Sequence, residues 1–500
     1  MNVRAILYIL GWILNMEGAF LLLPFLVSLI YHEPQGMAFL FVALLCILIG
    51  MLIILKKPRN MVFYEKEGYV TVAFSWILLS FFGALPFYFS GDIPKFMDAL
   101  FETVSGFTTT GASILSAPEA LSHASLFWRS FTHWIGGMGV LVFLLAIMPL
   151  TKGGSPIHLL RAESPGPLVE RLLPKLQNTA LILYLMYIVL SVLELIFLLI
   201  GRMPLFDAVT TMFGTAGTGG FAIRSDSIAG YSPYIQWVVG IFMMLFGVNF
   251  SAYFLIYLKK WGKAIRYEEI RYYFGIILFA TFVISVQTFT RETGIEETLR
   301  HAFFQVASVI TTTGFATTDF NLWPSLSKII LVTLMFIGAC AGSTGGGIKV
   351  SRIATLVKTV KKELMIYIHP GSVKKIKSEG KVVNHEVIRS INVFFITYIL
   401  IFVASVLLIS FENHDLVTTF TSVLAAFNNI GPGLAEVGPT GNFGFFTGFS
   451  KCVLMFDMLA GRLEIYPMLM IFHYGMWKSS LRPGIRRRIA NHQKKISVKE

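Results

Sequence analysis

The tetrapeptide Thr-Thr-Thr-Gly occurs twice in this chain, within VSGFTTTGASIL at residues 104–115 and within SVITTTGFATTDF at residues 308–320. Neither stretch pairs a nucleophile with a base; what both hold is oxygen. Threonine contributes a hydroxyl and every residue a carbonyl, while glycine reaches the positive φ that lets successive carbonyls face one axis. Rings of backbone carbonyls are how a selective pore replaces the hydration shell of a cation. A single copy would read as a helix stop. The chain, however, carries four segments of one form: DALFETVSGFTTTGAS (98–113), DAVTTMFGTAGTGGFA (207–222), HAFFQVASVITTTGFA (301–316) and TTFTSVLAAFNNIGPG (418–433). The candidate filter residues are therefore Thr109, Thr110, Gly111 and Ala112; Gly217, Thr218, Gly219 and Gly220; Thr312, Thr313, Gly314 and Phe315; and Asn429, Ile430, Gly431 and Pro432. The Gly219-Gly220 pair leaves the register of the second segment open by one residue, and Asn428, Asn429 and Ile430 replace threonine in the fourth.

The elements that must position these segments follow from hydropathy. The chain has 500 residues, 55% of them hydrophobic and only 14% charged, with a mean hydropathy of +0.70. That composition belongs to an integral membrane protein. A helix needs about 20 apolar residues to cross a bilayer. Ten stretches qualify: about 5–30, 37–55, 69–90, 126–150, 179–201, 234–258, 273–290, 327–360, 391–411 and 449–477. The first is too long, and too interrupted by Asn15 and Glu17, to be a cleaved signal sequence. Cys46, Cys340 and Cys452 lie in or beside apolar spans without close pairing and point to no disulfide or metal. Of the 41 basic residues, 32 fall in alternate connecting segments or at their boundary, from Arg4 through the run between Lys349 and Arg389 to the tail after Lys478. That side is the cytoplasm, with both termini on it. The net charge of +13 thus reflects topology and contact with anionic lipid rather than nucleic acid.

Each of the four segments begins with a semi-apolar run of about ten to twelve residues, too short to span and suited to a re-entrant helix. With Gly111, Gly219, Gly314 and Gly431 as equivalents, the spacings are 108, 95 and 117 residues. A second glycine follows each, at Gly137, Gly247, Gly342 and Gly461. The expected fold is an all-α integral membrane protein of four pseudo-symmetric helix/pore-loop/helix repeats around one pore, plus two N-terminal transmembrane helices. Residues 1–60 hold the two additional helices, 61–160, 161–265, 266–385 and 386–480 the repeats, and 481–500 a basic cytoplasmic tail. Non-helical backbone at membrane depth must be buried or line a watery path. A pore loop satisfies that demand.

Two features suggest gates. Gly342, Ser343, Thr344, Gly345, Gly346 and Gly347 interrupt the second helix of the third repeat, and four glycines in six positions unwind a helix. Arg462 lies well inside an apolar stretch, where a charge faces a partner or water. Static packing of small residues, and an ion pair of Arg462 with Asp457 or Glu464, are the structural alternatives. Glu102 and Glu194 read equally as buried packing partners or as functional groups, Arg129 and His133 as groups reaching the outer surface, and Asp98, Asp207 and Asp319 as cation attractors or helix caps. Neither HExxH nor GxSxG occurs, and the glycine run lacks the spacing of a phosphate loop. An enzyme is not expected.

The motifs GACAGSTGGGIKVSR (338–352), NNIGPGL (428–434) and AGRLEIYP (460–467), with the filter loops, resemble the TrkH/TrkG/KtrB superfamily of potassium uptake proteins over essentially the full chain. The two extra helices within residues 1–56 resemble its TrkH branch. The resemblance implies potassium as the transported ion, with rubidium following it, held at Thr110, Gly111, Thr218, Gly219, Thr313, Gly314, Ile430 and Gly431. It further implies a bacterial inner-membrane homodimer with one pore per protomer, and a cytoplasmic TrkA-type regulatory subunit that binds nucleotides. No cofactor is bound by the chain itself. Arg462 matches a family arginine placed in the pore below the filter, while AGTGGF in the second loop lacks the aliphatic residue common before the first glycine. A sodium- or proton-coupled symporter, or a less selective cation pore of the same fold, remains compatible with these residues.

Overall fold

The computed structural model describes residues 2–58, 65–137, 139, 176–291, 294–370 and 375–474. Residues 140–175, with Lys152, Arg161 and Arg171, and the basic tail 481–500 lie outside the described residues. The chain is predominantly helical, and its β structure among the described residues is a two-residue hairpin, Lys377–Ser378 with Lys381–Val382, beside one isolated bridge.

α1 (Val3–Tyr31) and α2 (Gly36–Ile54) form an antiparallel pair. Small residues let them approach closely: a Cβ on Gly18 would lie 2.8 Å from the Ala43 carbonyl oxygen and one on Gly50 2.7 Å from that of Gly11. The remaining long apolar helices are α3 (Glu65–Ser90), α6 (Leu176–Ile200), α11 (Glu268–Thr288) and α15 (His385–Ile409). Each is followed by a short helix: α4 (Phe96–Phe107), α7 (Leu205–Gly217), α12 (Gly294–Ile310) and α16 (Leu416–Phe427). At 12, 13, 17 and 12 residues these are too short to cross a bilayer, and their C-terminal halves are buried on every face. They end at the four candidate loops.

The helices after the loops depart from expectation. The sequence predicts one unbroken second span in every repeat except the third, but breaks occur in the second, third and fourth. α8 (Pro233–Phe246) and α9 (Phe250–Tyr257) meet at 91°. Residues 337–349 separate α13 (Ser325–Phe336) from α14 (Val350–Ile368), and residues 463–465 separate α17 (Gly448–Arg462) from α18 (Tyr466–Phe472). In the first repeat α5 (His123–Gly137) is described only as far as the corresponding glycine. The physical reason is crowding. A Cβ on Gly461 would lie 2.0 Å from the Phe427 carbonyl oxygen and one on Gly136 1.9 Å from that of Phe107. Glycine at these contacts lets the second helix touch the end of the short one, and the same glycine weakens the helix that contains it. Hydropathy windows do not register such breaks. Among the described residues six helices are long and apolar enough to cross a membrane, or seven with the bent pair; the expected stretch 126–150 lies mostly outside the described residues.

Candidate functional site

The four short helices end alike. The N–H of Thr109, Thr218, Thr312 and Asn429 bonds back three residues, to Gly106, Thr215, Val309 and Ala426, at 3.0–3.2 Å. The next N–H, of Thr110, Gly219, Thr313 and Ile430, bonds back five, to Ser105, Gly214, Ser308 and Ala425, at 2.8–2.9 Å. This pair of bonds is a Schellman end, with its first residue in the left-handed region. Here that residue is Thr109 (φ 54°), Thr218 (53°), Thr312 (58°) or Asn429 (56°). Two residues on, φ is positive again at Gly111 (77°), Gly220 (75°), Gly314 (87°) and Gly431 (97°). The motif settles the register left open in the second loop: Gly220, not Gly219, matches the other three glycines. Its oxygen-bearing pair becomes Gly219 and Gly220 rather than Thr218 and Gly219.

These glycines close a ring. A Cβ on Gly111 would lie 2.0 Å from the Gly219 carbonyl oxygen, on Gly220 1.9 Å from that of Thr313, on Gly314 2.1 Å from that of Ile430, and on Gly431 2.9 Å from that of Thr110. Each loop thus touches the next, and the fourth touches the first. None of the carbonyl oxygens of Thr110, Gly111, Gly219, Gly220, Thr313, Gly314, Ile430 and Gly431 accepts a hydrogen bond among the described residues. Unpaired carbonyls this close together repel one another unless a cation or water sits among them. The negative ends of the four short helices add to the attraction for a cation. A cavity of about 170 Å³ touches all four glycines and the residues that follow them, which makes it the vestibule of the ring.

Side chains frame the ring rather than enter it. Thr108 and Thr110 share a hydroxyl contact of 2.8 Å, Thr311 and Thr313 one of 2.7 Å. Asn429 Nδ2 donates to Thr110 Oγ1 and to the Met458 carbonyl, both at 2.9 Å. Asparagine in the fourth loop therefore ties it to the first. Ala112 and Phe315 are buried; the Phe315 ring packs against Gly214 and its carbonyl accepts the Ser308 hydroxyl at 2.6 Å. Gly217, the last residue of α7, packs on the His133 carbonyl, and Pro432 lies against Gly314.

Arg129 and His133 do not reach the outer surface as the sequence suggested. Both are buried, because each has an internal partner. Arg129 Nε pairs with Glu102 at 2.6 Å, Nη1 donates to the Ala222 carbonyl at 2.6 Å, and the guanidinium lies 3.7 Å from the Phe221 ring centre. Glu102 in turn accepts the Ile114 N–H at 3.0 Å and the Ser113 hydroxyl at 2.9 Å. His133 Nδ1 is 2.8 Å from the Gly106 carbonyl, and its Nε2 accepts the Phe221 N–H at 3.2 Å. These residues clamp the first and second loops together. Arg129→Leu leaves the Glu102 carboxylate buried and unpaired, so it should cost about 3–5 kcal/mol. Thermal unfolding of the purified protein checks this, and an unchanged midpoint would remove the clamp. Of the three outer aspartates, Asp98 pairs with Lys451 at 2.6 Å, Asp207 accepts the Tyr231 hydroxyl at 2.8 Å, and Asp319 caps Asn321 at 3.0 Å. Each has a structural partner.

The glycine-rich loop, residues 337–349, lies against the ring on the side away from the vestibule. Gly346 N–H donates to Thr312 Oγ1 at 2.6 Å, and Cβ atoms on Gly345 and Gly346 would lie 3.0 and 2.7 Å from the carbonyl oxygens of Thr311 and Asn428. Gly342 is held to the break in the second repeat: its carbonyl accepts the Phe250 N–H at 3.0 Å, and Cys340 N–H donates to Gly247 at 3.1 Å. Ser343 Oγ donates to the Cys340 carbonyl at 2.6 Å, and Gly347 takes φ 66°. Arg462 reaches across, with Nη1 on the Thr344 carbonyl and Nη2 on that of Gly137, both at 2.9 Å, and Nη2 also on Gly136. It pairs with neither Asp457 nor Glu464 in these bonds. Asp457 accepts the Ser405 hydroxyl at 2.8 Å, and Glu464 pairs with Arg352. Lys349 Nζ donates to the carbonyls of Gly345 and Gly346. Sequence reading missed Lys349, whose signal was a cation two residues after the glycine run.

Comparison with known proteins agrees with a predominantly helical membrane fold. The model of the TrkH family, described as cation transport protein, matches residues 35–290 and 291–479. The Trk system potassium uptake protein TrkH of Salmonella typhimurium is 36% identical over 486 residues, 96% of this chain and all of that protein. TrkG of Escherichia coli K12, also named a Trk system potassium uptake protein, is 33% identical over 96% of this chain and 99% of its own length. Among solved structures, the crystal structure of the potassium transporter TrkH from Vibrio parahaemolyticus superimposes with a TM-score of 0.85 at 31% identity, covering 96% of this chain and all of that one. These relatives are transport proteins rather than enzymes. The chain belongs to the TrkH family of cation transport proteins.

Proposed function

We propose that this multi-pass membrane protein takes up potassium through a pore at the pseudo-fourfold axis of four helix/loop/helix repeats, with the ring of loops as its filter. The observation that carries this reading is the closed cycle of contacts among Gly111, Gly220, Gly314 and Gly431, with eight carbonyl oxygens around it that no donor among the described residues satisfies. The relatives' names supply the ion. Potassium, and rubidium of nearly the same size, would shed water in the vestibule and bind these carbonyls. Beneath the ring, the loop 337–349 blocks the path. Lys349 and Arg462 neutralise its carbonyls and add positive charge where a cation must pass. Opening then requires Arg462 to release Thr344. A nucleotide-binding TrkA-type subunit on the basic cytoplasmic face is the reading for what drives that release, and a homodimer with both termini in the cytoplasm of a bacterial inner membrane is the assembly that the charge distribution and the family favour.

The experiment is ion flux into liposomes containing the purified protein, comparing potassium, rubidium and sodium for wild type and Gly314→Ser. Potassium and rubidium should outrun sodium, and the substitution should erase the preference. Wild-type entry of all three ions at one rate, with a silent glycine change, would sink the filter reading.

A further inference from the structure

A cavity outside the ring lies on the basic face, where it is bounded by α9, the short helix α10 (Trp261–Ile265), α14 and the β-hairpin. It holds about 970 Å³. Four cations stand around it, Lys263, Arg266, Arg271 and Lys377, all exposed and none in an ion pair among the described residues. The two carboxylates beside them are already engaged. Glu268 pairs with Lys358 at 2.6 Å, and Glu379 accepts the Glu268 N–H at 2.8 Å. A backbone N–H leaves the Glu379 charge in place, so the cavity carries an excess of positive charge, four cations against that one carboxylate. Its inner wall is apolar, with Leu255 and Ile391. The helix α10, which gives the cavity Lys263, exposes Trp261 and Ile265 at 58% and 69%. Exposed tryptophan beside lysine and arginine is the pattern of an element lying at the headgroup level of a bilayer.

We propose that this cavity seats the phosphate headgroup of an anionic phospholipid, with Lys263, Arg266, Arg271 and Lys377 around the phosphate and the acyl chains leaving past the apolar wall. A soluble phosphate would match the cations and leave the apolar wall and exposed Trp261 unexplained. The seat adjoins the glycine-rich loop. Ser351, which lines the cavity, and Ala341 both donate their N–H to Glu269 Oε1, at 3.1 and 2.8 Å, so one buried carboxylate fastens both ends of the loop's C-terminal half. Occupancy of the seat steadies Ser351 and shifts the loop's equilibrium; this second step rests on the proposed gating role of that loop.

The test uses the full-length protein. Native mass spectrometry after purification from mixed phosphatidylcholine/phosphatidylglycerol membranes measures retained phosphatidylglycerol, and flux is measured in vesicles with and without that lipid. Wild type should retain it, and a variant with Lys263, Arg266, Arg271 and Lys377 all changed to Gln should lose affinity by about fivefold per cation removed. A control with Lys361→Gln and Lys362→Gln, on α14 and outside the cavity lining, should behave as wild type. Equal retention by the fourfold variant would overturn the seat. Displacement of the lipid by inorganic phosphate would overturn the lipid assignment in favour of a soluble phosphate. Lost retention with unchanged flux would overturn the coupling to the loop. Normal retention in a protein that passes no potassium under any condition would instead count against the proposed transport path and leave the seat standing.

Discussion

Gly220→Ala should abolish the preference for potassium over sodium while leaving the protein folded. Alanine at φ 75° is strained, and its Cβ would lie 1.9 Å from the Thr313 carbonyl oxygen, a backbone atom that cannot swing aside as a side chain does. Strain of about 1–3 kcal/mol is expected at such a position. If it is relieved by turning the Thr313 carbonyl from the axis, selectivity falls about tenfold or more, since each 1.4 kcal/mol is a factor of ten. Gly219→Ala provides the contrast. Its clash is with the His133 ring, at 2.2 Å, and its own φ is not positive. That substitution should therefore lower thermal stability first, through the clamp between the first and second loops. Parallel flux and melting measurements separate the two. Equal loss of selectivity at both positions would return the register of the second loop to Gly219.

How much of this was legible beforehand depends on whether the signal was local. The four glycine segments stood out because repetition leaves a trace in the sequence; the expected short runs of about ten to twelve residues match α4, α7 and α16, at 12 or 13, while α12 extends to 17. The Schellman ends did not stand out. The left-handed position that closes such an end is usually glycine, whereas here threonine or asparagine fills it and the glycine comes two residues later. The second loop was ambiguous because Gly219 and Gly220 stand side by side there, and only the left-handed Thr218 marks Gly220 as the equivalent glycine. The clamp of Glu102, Arg129 and His133 was misjudged for a different reason: the Ala222 carbonyl that Arg129 holds is 93 residues away. Composition near residue 129 cannot disclose that partner. The helix breaks after Gly247 and Gly461 were hidden inside runs that hydropathy scores as continuous. Only the break with four glycines was dense enough to read.

Arg462→Ala should raise potassium flux through the ring by about tenfold. The guanidinium holds the Thr344 carbonyl of the glycine-rich loop and, through its other nitrogen, the carbonyls of Gly136 and Gly137 at the end of α5. It is a strut between the loop and the opposite wall. A hydrogen bond to a charged group contributes about 1.5–3 kcal/mol, so losing the bond to Thr344 alone shifts the loop toward its open position by a factor of ten or more. Removing the charge also lowers the barrier to a passing cation. Arg462→Lys tells the two contributions apart. Lysine keeps the charge but lacks the planar fork that spans carbonyls on both walls. If the strut dominates, the lysine variant should conduct nearly as well as the alanine variant; if the charge dominates, it should conduct like wild type. Single-channel or vesicle-flux currents for the three proteins decide it, and currents unchanged by Arg462→Ala would remove this arginine from the path.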